Sequence, residues 1–381
     1  MSAQPATVPA PGAVAEPLMR LEHVVKYFPI RTNSLVGRGG PQLRAVDDVS
    51  LEITPGETLG LVGETGCGKS TLARCMTRLY DLTGGKVVFD GQDISELSRR
   101  QLRPVRREIQ MIFQDPYGSL NPRRRVGSII GDAFAIHGID SRKGNKRSVQ
   151  DLMDVVGLNP EHYNRFPAEF SGGQRQRIGV ARALALKPKM IVCDEPVSAL
   201  DVSIQAQVIN LLKDLQAEFG LTYVFISHDL SVVRHVSDRI AVMYLGKVIE
   251  ISEAARMFDT SRHPYTRALL SALPPADPDA ADRRERIVLS GDLPSPLNPP
   301  TGCRFHPRCP KATDKCVTDV PVAEPAFDDP PDHPVACWHP MTAEESLNDF
   351  TPEITDTVVG QDPVALETAL GGVSPTDEGS A

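Results

Sequence analysis

Short apolar runs alternate with longer amphipathic stretches between residues 19 and 262. Runs that stay apolar without alternation are typical of strands buried on both faces. The pattern therefore predicts a parallel sheet covered by helices, that is, an α/β fold. Its predicted strands are Thr58–Val62, Ile109–Phe113, Met190–Cys193, Tyr223–Ser227 and Ile240–Tyr244.

Two segments predict a different kind of strand. Leu51–Ile53 and Gly85–Phe89 are short, and the second leads into the turn residues Asp90 and Gly91. Such segments are typical of antiparallel edge strands. They indicate a small antiparallel β subdomain beside the parallel sheet.

Helical periodicity dominates the segment between Tyr117 and Phe170. The residues on which this interpretation rests are Asp151, Leu152, Val155 and Val156. Their spacing predicts helices. We therefore expect a helical subdomain over about residues 115–185, inserted into a domain that spans residues 19–262.

The ends of the chain differ from this central part. Residues 1–18 are rich in Pro and Ala without a basic start or an apolar core, so they do not resemble a secretory signal. Residues 263–345 are Pro-rich and irregular, and residues 346–381 are acidic without Lys or Arg. The composition predicts disorder in residues 1–18 and 346–381.

Charge and hydropathy exclude some classes of protein. The net charge of −8 comes from the last 41 residues, which hold nine acidic side chains; the remainder has 41 basic and 40 acidic residues. That balance does not favour nucleic-acid binding. No apolar run approaches the roughly 20 residues that span a bilayer, so we expect a soluble chain with any membrane role through partners.

A glycine-rich segment directly follows the predicted strand that ends at Val62. It consists of Gly63, Glu64, Thr65, Gly66, Cys67, Gly68, Lys69, Ser70 and Thr71. A helical pattern follows, with Leu72, Met76 and Leu79 on one face. This order of strand, loop and helix is that of a phosphate-binding loop. Lys69 would neutralise the β- and γ-phosphates of ATP, and the Ser70 hydroxyl would bind Mg²⁺.

The strand Met190–Cys193 ends in two carboxylates, Asp194 and Glu195. The carboxyl ends of strands in such a sheet are where ligands bind. Asp194 would hold Mg²⁺, and Glu195 would orient or deprotonate the attacking water. A solvated acidic turn is the alternative for this pair alone.

A third motif, Ser171, Gly172, Gly173 and Gln174, stands between the other two. Ser171 and Gln174 have the spacing of a capping box, and the glycines leave backbone N–H groups open to an anion. A plain helix cap is the alternative. With this motif the chain resembles the ABC ATPase family, in which the signature contacts ATP held by a facing subunit. The resemblance implies a phosphate-loop ATPase fold and a dimer with two composite sites.

The other elements of that family follow in order over about residues 19–262. Gln114 resembles the glutamine that senses Mg²⁺ and couples to membrane subunits, and His228 the histidine that touches the γ-phosphate. Asp201 closes a segment similar to the dimer-contacting loop. Tyr27 resembles the aromatic residue that stacks on adenine, with Phe28 as the alternative.

The region after residue 262 resembles the C-terminal part of oligopeptide and dipeptide importer ATPases. The similar segments are His263–Leu270 and Gly302–Pro310. The phosphate loop, Phe113–Pro116 and the insertion Arg31–Arg44 are similar to the second of the two ATPase subunits of those importers.

Four cysteines mark this C-terminal region: Cys303, Cys309, Cys316 and Cys337. Without a Cys-x2-Cys pair they fit a zinc ribbon poorly and an iron–sulfur cluster better. Some importer ATPases that the chain resembles carry a [4Fe–4S] cluster. Structural zinc and free cysteines remain open alternatives.

The resemblance implies an ATP-hydrolysing subunit of an ABC importer for dipeptides or oligopeptides, at the cytoplasmic face of the membrane. The implied partners are a second, paralogous ATPase, two membrane permeases and an extracytoplasmic peptide-binding protein. Nickel complexes or glutathione are alternative cargoes. An exporter ATPase, or an ABC ATPase of translation or DNA repair, is the alternative class.

Overall fold

The structure is a computed structural model that describes residues 16–30, 41–115, 118–139, 145–273, 287, 289 and 291–355. It divides into two compact units. Unit 1 consists of the described parts of Met1–Val24, Ser50–Thr58 and Met76–Val224. Unit 2 consists of the described parts of Val25–Val49, Leu59–Cys75 and Phe225–Ala381.

The strands of the described chain fall in two sheets. They are β1 (Met19–Pro29), β2 (Gln42–Ile53), β3 (Thr58–Val62), β4 (Gly84–Phe89), β5 (Gln92–Asp93), β6 (Ile109–Ile112), β7 (Met190–Asp194), β8 (Thr222–Ile226), β9 (Arg239–Tyr244), β10 (Lys247–Glu253), β11 (Glu324–Pro325) and β12 (Pro334–Val335). Every residue of β3, β7 and β8 is buried. That full burial explains why these strands read as continuous apolar runs.

The helices are more widely spread along the chain. They are α1 (Lys69–Met76), α2 (Leu102–Glu108), α3 (Val126–His137), α4 (Asn145–Val155), α5 (Gly172–Leu184), α6 (Val202–Phe219), α7 (Leu230–Val236), α8 (Ala254–Thr260), α9 (Pro264–Ser271) and α10 (Asp314–Thr318). The helices α3, α4 and α5 pack on one another in unit 1, where the sequence predicts the helical subdomain.

Unit 1 holds the pair β6 and β7, which run parallel in register from Ile109 opposite Met190 to Ile112 opposite Cys193. The two strands therefore end side by side, which places the residues after each at one edge of the sheet. Unit 1 also holds the antiparallel hairpin of β4 and β5, in which Phe89 pairs with Gln92 across the predicted turn.

Unit 2 holds the other parallel pair, β3 and β9, together with β10, which runs antiparallel to β9. The strands β12 and β11 come from the region after residue 262 and continue the sheet beyond β10. This C-terminal extension, residues 263–355 as far as they are described, therefore lies in the same unit as the phosphate loop.

Two side chains that the sequence pattern places on the apolar faces of helices are exposed. Leu79 is 46% exposed, because α1 ends at Met76 and Arg78 has a positive φ of 50°. In α4, Val155 is 39% exposed, and the buried side chains are Val149 and Met153.

Contacts also continue past the predicted boundary at residue 345. Leu347 is buried, and the Glu353 N–H bonds to the Ala312 carbonyl at 2.8 Å. Residues 1–15 and 356–381, Pro116 and residues 31–40 of the predicted insertion lie outside the described residues. Within the described ranges, no helix combines the length and the apolar character needed to span a bilayer.

Candidate nucleotide-binding site

The phosphate loop turns sharply between β3 and α1, and two glycines make the turn possible. Gly63 has φ of 149° and Gly68 has φ of 112°. A Cβ atom at Gly63 would overlap the carbonyl oxygen of Met243, and one at Gly68 would overlap that of Ala45. Only glycine fits at either position, because both the backbone angle and the neighbouring backbone exclude a side chain.

Lys69 lies within the curve of this loop. Its ammonium donates hydrogen bonds to the carbonyl oxygens of Gly63 at 2.7 Å and of Glu64 at 3.0 Å, and the residue is only 5% exposed. Ser70 and Thr71 follow in the first turn of α1. The arrangement brings the predicted cation and hydroxyl to the start of one helix, as anion binding requires.

Cys67 packs inside the loop at 1% exposure. Burial raises the pKa of its thiol, and the charge of Lys69 opposes that effect. A buried, protonated thiol is not a reactive one. Cys67 is therefore a small packing residue of the loop.

The two candidates for the adenine contact, Tyr27 and Phe28, lie in β1 within unit 2. The Tyr27 hydroxyl donates to the Asp47 carboxylate, and burial together with this bond raises the pKa of Tyr27 to about 12. The Arg44 guanidinium lies 5.7 Å from the Tyr27 ring centre, and Lys26 lies 4.8 Å from that of Phe28. Both aromatic residues are half-buried, and each has a basic side chain near its ring.

His228 follows β8 and is exposed. It stands immediately before Asp229, whose carboxylate caps α7 by accepting from the Ser231 N–H at 2.9 Å. The cap fixes the direction of the chain where α7 begins. His228 is therefore held in a defined position just after the carboxyl end of β8.

In unit 1, Asp194 and Glu195 differ sharply in environment. Asp194 ends β7 and is 1% exposed, whereas the next residue, Glu195, is half-buried. Glu195 also has a positive φ of 48°. The Glu195 carboxylate accepts a hydrogen bond from Gln114 Nε2 at 2.7 Å. A non-glycine residue with positive φ is costly and is concentrated at functional positions.

The motif at Ser171 forms the predicted capping box at the start of α5. The Gln174 N–H donates to Ser171 Oγ at 3.4 Å, and the Ser171 N–H donates to Gln174 Oε1 at 3.0 Å. A Cβ atom on Gly173 would overlap the Ile204 side chain of α6. Asp201 precedes α6 without capping it through its side chain, and it is exposed.

The four cysteines of the extension lie close together. Burial raises the pKa of Cys337 well above its ordinary value, and the charges of Cys303, Cys309 and Cys316 add to the rise. None of the four forms a disulfide. Among the described residues, no three His, Cys, Asp or Glu side chains converge to hold a single metal ion.

Sequence reasoning missed the residues that tie the extension to the phosphate loop. Arg308 pairs with Glu64, the Tyr265 hydroxyl accepts from the Glu64 N–H, and Arg304 pairs with Asp47. The partners are separated by 201 to 257 residues in sequence, so no local pattern announces them.

Comparison with known proteins gives two family matches in this one chain. Residues 46–198 match the family described as ABC transporter. Residues 249–316 match the family described as oligopeptide/dipeptide transporter, C-terminal region. The two matches cover the phosphate loop together with its carboxylate motif, and the first three cysteines of the extension.

Individual relatives agree with these matches. The chain is 55% identical over 327 residues to the oligopeptide transport ATP-binding protein AppF of Bacillus subtilis, covering 86% of this chain and 98% of that protein. It is 50% identical over 324 residues to a probable peptide ABC transporter ATP-binding protein, y4tS, of Sinorhizobium fredii, covering 85% and 90%. Among solved structures it is similar to the ADP- and phosphate-bound dimer of the ATP-binding cassette MJ0796, with a TM-score of 0.55 and 29% identity, covering 62% of this chain and 98% of that one.

Proposed function

This chain belongs to the ABC transporter ATP-binding proteins, in their oligopeptide and dipeptide branch, and from that premise we propose that it couples ATP hydrolysis to the import of short peptides. One observation carries the proposal. An ABC ATPase region and the C-terminal region of oligopeptide and dipeptide transporters occur in the same chain, over residues 46–198 and 249–316.

Each candidate side chain has a task in this reaction. The phosphate loop binds the phosphates of ATP through its backbone N–H groups, and Lys69 exchanges its bonds to Gly63 and Glu64 for bonds to phosphate oxygens. The N–H groups of Gly172 and Gly173, which the capping box between Ser171 and Gln174 leaves open, bind a phosphate of a second ATP. Asp201 contacts the facing ATPase. Tyr27 or Phe28 stacks on adenine.

Hydrolysis needs a base and a site for Mg²⁺. Ser70, Asp194 and Gln114 offer the oxygen ligands that Mg²⁺ prefers, and the ion would neutralise charge on the phosphates. Glu195 accepts the proton of the attacking water, and its bond from Gln114 holds the carboxylate in place. His228 contacts the γ-phosphate.

The chain works with partners at the cytoplasmic face of the membrane. A second, paralogous ABC ATPase, two permeases and an extracytoplasmic peptide-binding protein complete the transporter. Closure of two ATPases around ATP switches the permeases between their outward- and inward-facing states.

Co-purification tests this function. The tagged full-length chain is isolated from its native cells in mild detergent without oxygen, and the accompanying proteins are identified by mass spectrometry. Two polytopic permeases, another ABC ATPase and an extracytoplasmic binding protein are expected. Recovery with ribosomal or DNA-repair proteins, and without a permease, would overturn the transport function but not the ATPase chemistry.

The extension carries a second proposal, that Cys303, Cys309, Cys316 and Cys337 hold a [4Fe–4S] cluster. The donor set of four thiols suits iron–sulfur chemistry. Cys309 and Cys316 are buried, Cys303 and Cys337 are half-buried, and the Cys303 N–H bonds to the Cys316 carbonyl at 2.8 Å. Structural zinc is the alternative for the same four thiols.

Anaerobic purification followed by iron, sulfide and zinc analysis decides this point. About four iron and four sulfide per chain, with a broad visible absorption band, are expected from a cluster with four cysteine ligands. Cys316→Ser should lose the band, whereas Cys75→Ser, a change at a buried cysteine outside the extension, should keep it. Stoichiometric zinc, or no metal in the anaerobic protein, would contradict the proposal.

A further inference from the structure

Glu64, the second residue of the phosphate loop, is paired with an arginine of the C-terminal extension. Arg308 Nη1 lies 3.2 Å from Glu64 Oε1 and 3.1 Å from Oε2. The arginine side chain is 10% exposed and the glutamate side chain 29%. A carboxylate in a loop that receives phosphates repels them, so Arg308 both fixes this side chain and neutralises its charge.

The backbone of the same residue is held as well. The Glu64 N–H donates to the Tyr265 hydroxyl at 2.9 Å. Tyr265 is fully buried, and its ring packs against those of Tyr244 and Phe305 at 4.7 and 5.5 Å between centroids. A rigid aromatic cluster of the extension and β9 therefore supports the loop directly.

A second arginine of the extension makes a similar contact. Arg304 donates to the carbonyl of Leu245 and to the carboxylate of Asp47, which in turn accepts from the Tyr27 hydroxyl. The Asp47 N–H bonds to the Gly246 carbonyl at 2.8 Å, and the Gly246 N–H bonds to the Cys67 carbonyl at 2.7 Å. The chain of bonds runs from Arg304 to the candidate adenine contact and to the phosphate loop.

We propose that the segment Cys303–Cys309 is a positioning element for ATP, in which Arg308 holds the phosphate loop through Glu64 and Arg304 holds the Tyr27 strand through Asp47. The inference rests on the proposed role of residues 63–71 in binding ATP. Preorganisation of a binding loop raises affinity because less freedom is lost when the ligand binds. ATP affinity in this chain therefore depends on a segment more than 230 residues beyond the loop.

A matched pair of substitutions tests Arg308. Lys311 pairs with Glu345 at 2.9 Å inside the extension, with side-chain exposures of 11% and 29% that nearly equal those of Arg308 and Glu64. Arg308→Met and Lys311→Met thus remove equally buried cations, one of which reaches the phosphate loop. In the full-length chain, Arg308→Met should raise the KM and Kd for Mg-ATP about fivefold, because the phosphate loop must then be ordered when ATP binds, with kcat nearly unchanged.

Lys311→Met should leave the KM for ATP within about twofold of the wild type, because Lys311 pairs with Glu345 of the extension and not with a residue of the phosphate loop. Melting temperatures of both variants are compared, so that a general loss of stability would show in both. Equal KM values for the two variants would overturn the inference.

A double substitution separates positioning from a merely structural role. In a Glu64→Gln background no carboxylate faces the phosphates, so Arg308→Met should raise the KM for ATP far less than in the wild type. Equal effects in the two backgrounds would show that Arg308 does not act through Glu64.

Lys69→Met distinguishes failure of this inference from failure of the proposed ATP site. Loss of ATP binding in Lys69→Met, with wild-type binding in Arg308→Met, would contradict the inference alone. Wild-type ATP binding in Lys69→Met would contradict the proposed site, and the inference with it.

Discussion

Gln114 donates a 2.7 Å hydrogen bond to Glu195, and this bond joins the residues that follow two neighbouring parallel strands. Because β6 and β7 are parallel and in register, their carboxyl ends lie side by side. Gln114 and Glu195 therefore meet without a long loop having to be ordered. The bond holds the candidate base in place through the uncharged amide of Gln114.

Glu195→Gln tests the base. The amide keeps the shape of the side chain but cannot accept a proton, so ATP should still bind while hydrolysis falls about 10²- to 10⁴-fold. ATP binding and phosphate release are measured on the same preparation. Glu169→Gln, which alters a carboxylate that accepts from the Phe166 N–H at 2.6 Å, is the control and should hydrolyse ATP normally. Wild-type turnover in Glu195→Gln would remove the assignment.

Two substitutions of Ser171 separate its cap from its proposed phosphate contact. Asn and Asp are both good N-cap residues. The free energy of unfolding of Ser171→Asn and of Ser171→Asp should therefore differ from that of the wild type by no more than about 0.5 kcal/mol. The Asp variant adds a negative charge where a phosphate is expected, and its ATPase activity should fall far below that of the Asn variant. Equal activities of the two variants would support a plain helix cap.

Gly68→Ala tests the steric basis of the loop. The added methyl group would overlap the backbone of Ala45, and the φ of 112° at Gly68 is itself unfavourable for alanine. We therefore expect the variant to lose both stability and ATP binding. Gly56→Ala is the comparison, because Gly56 also has a positive φ, of 81°, but has open space at its Cβ position. In that variant the free energy of unfolding, measured in urea, should fall by about 1–2 kcal/mol because of backbone strain alone. ATP binding should be normal.

The stability of the extension should depend on pH through His263. Burial lowers the pKa of His263 from 6.5 to about 4, and the nearby Glu250 opposes the shift. Between these values the unfolded chain binds more protons than the folded one, so stability falls as the pH falls from about 6.5 to 4. The full effect of this one group is about 3 kcal/mol.

His263→Asn removes the titration but retains an acceptor for the Tyr265 N–H, which bonds to His263 Nδ1 at 3.0 Å. The variant should show a flatter dependence of the unfolding free energy on pH over that window, whatever its absolute stability. An unchanged slope would show that His263 is not the group responsible.

The predicted strands of the parallel sheet are confirmed to within one residue, because burial on both faces leaves a continuous apolar signal. β10 gave no such signal. It contains Glu250, a buried carboxylate that bonds to His333 at 2.9 Å, 83 residues away. A charged residue reads as solvent-exposed until its distant partner is known.

The candidate site divides in the same way. The phosphate loop and the capping box are local motifs, and the residues that identify each lie within nine positions of one another. Glu64 gave no indication of its role, because the residue that neutralises it lies 244 positions along the chain. Arg304 and Arg308 stand within a motif that the sequence links to the importer family, yet their contacts depend on the tertiary fold.

The extension has a further consequence through its short strands at the sheet edge. β12 pairs with β10 at Val335 opposite Glu250, and β11 in turn forms the outer edge with only two residues, Glu324 and Pro325. Proline offers no N–H group, and so short a strand presents almost no row of unpaired backbone groups to another molecule. A crowded cell contains many partly folded chains that would add to an open strand. The outermost strand, β11, therefore offers such chains very little backbone with which to pair.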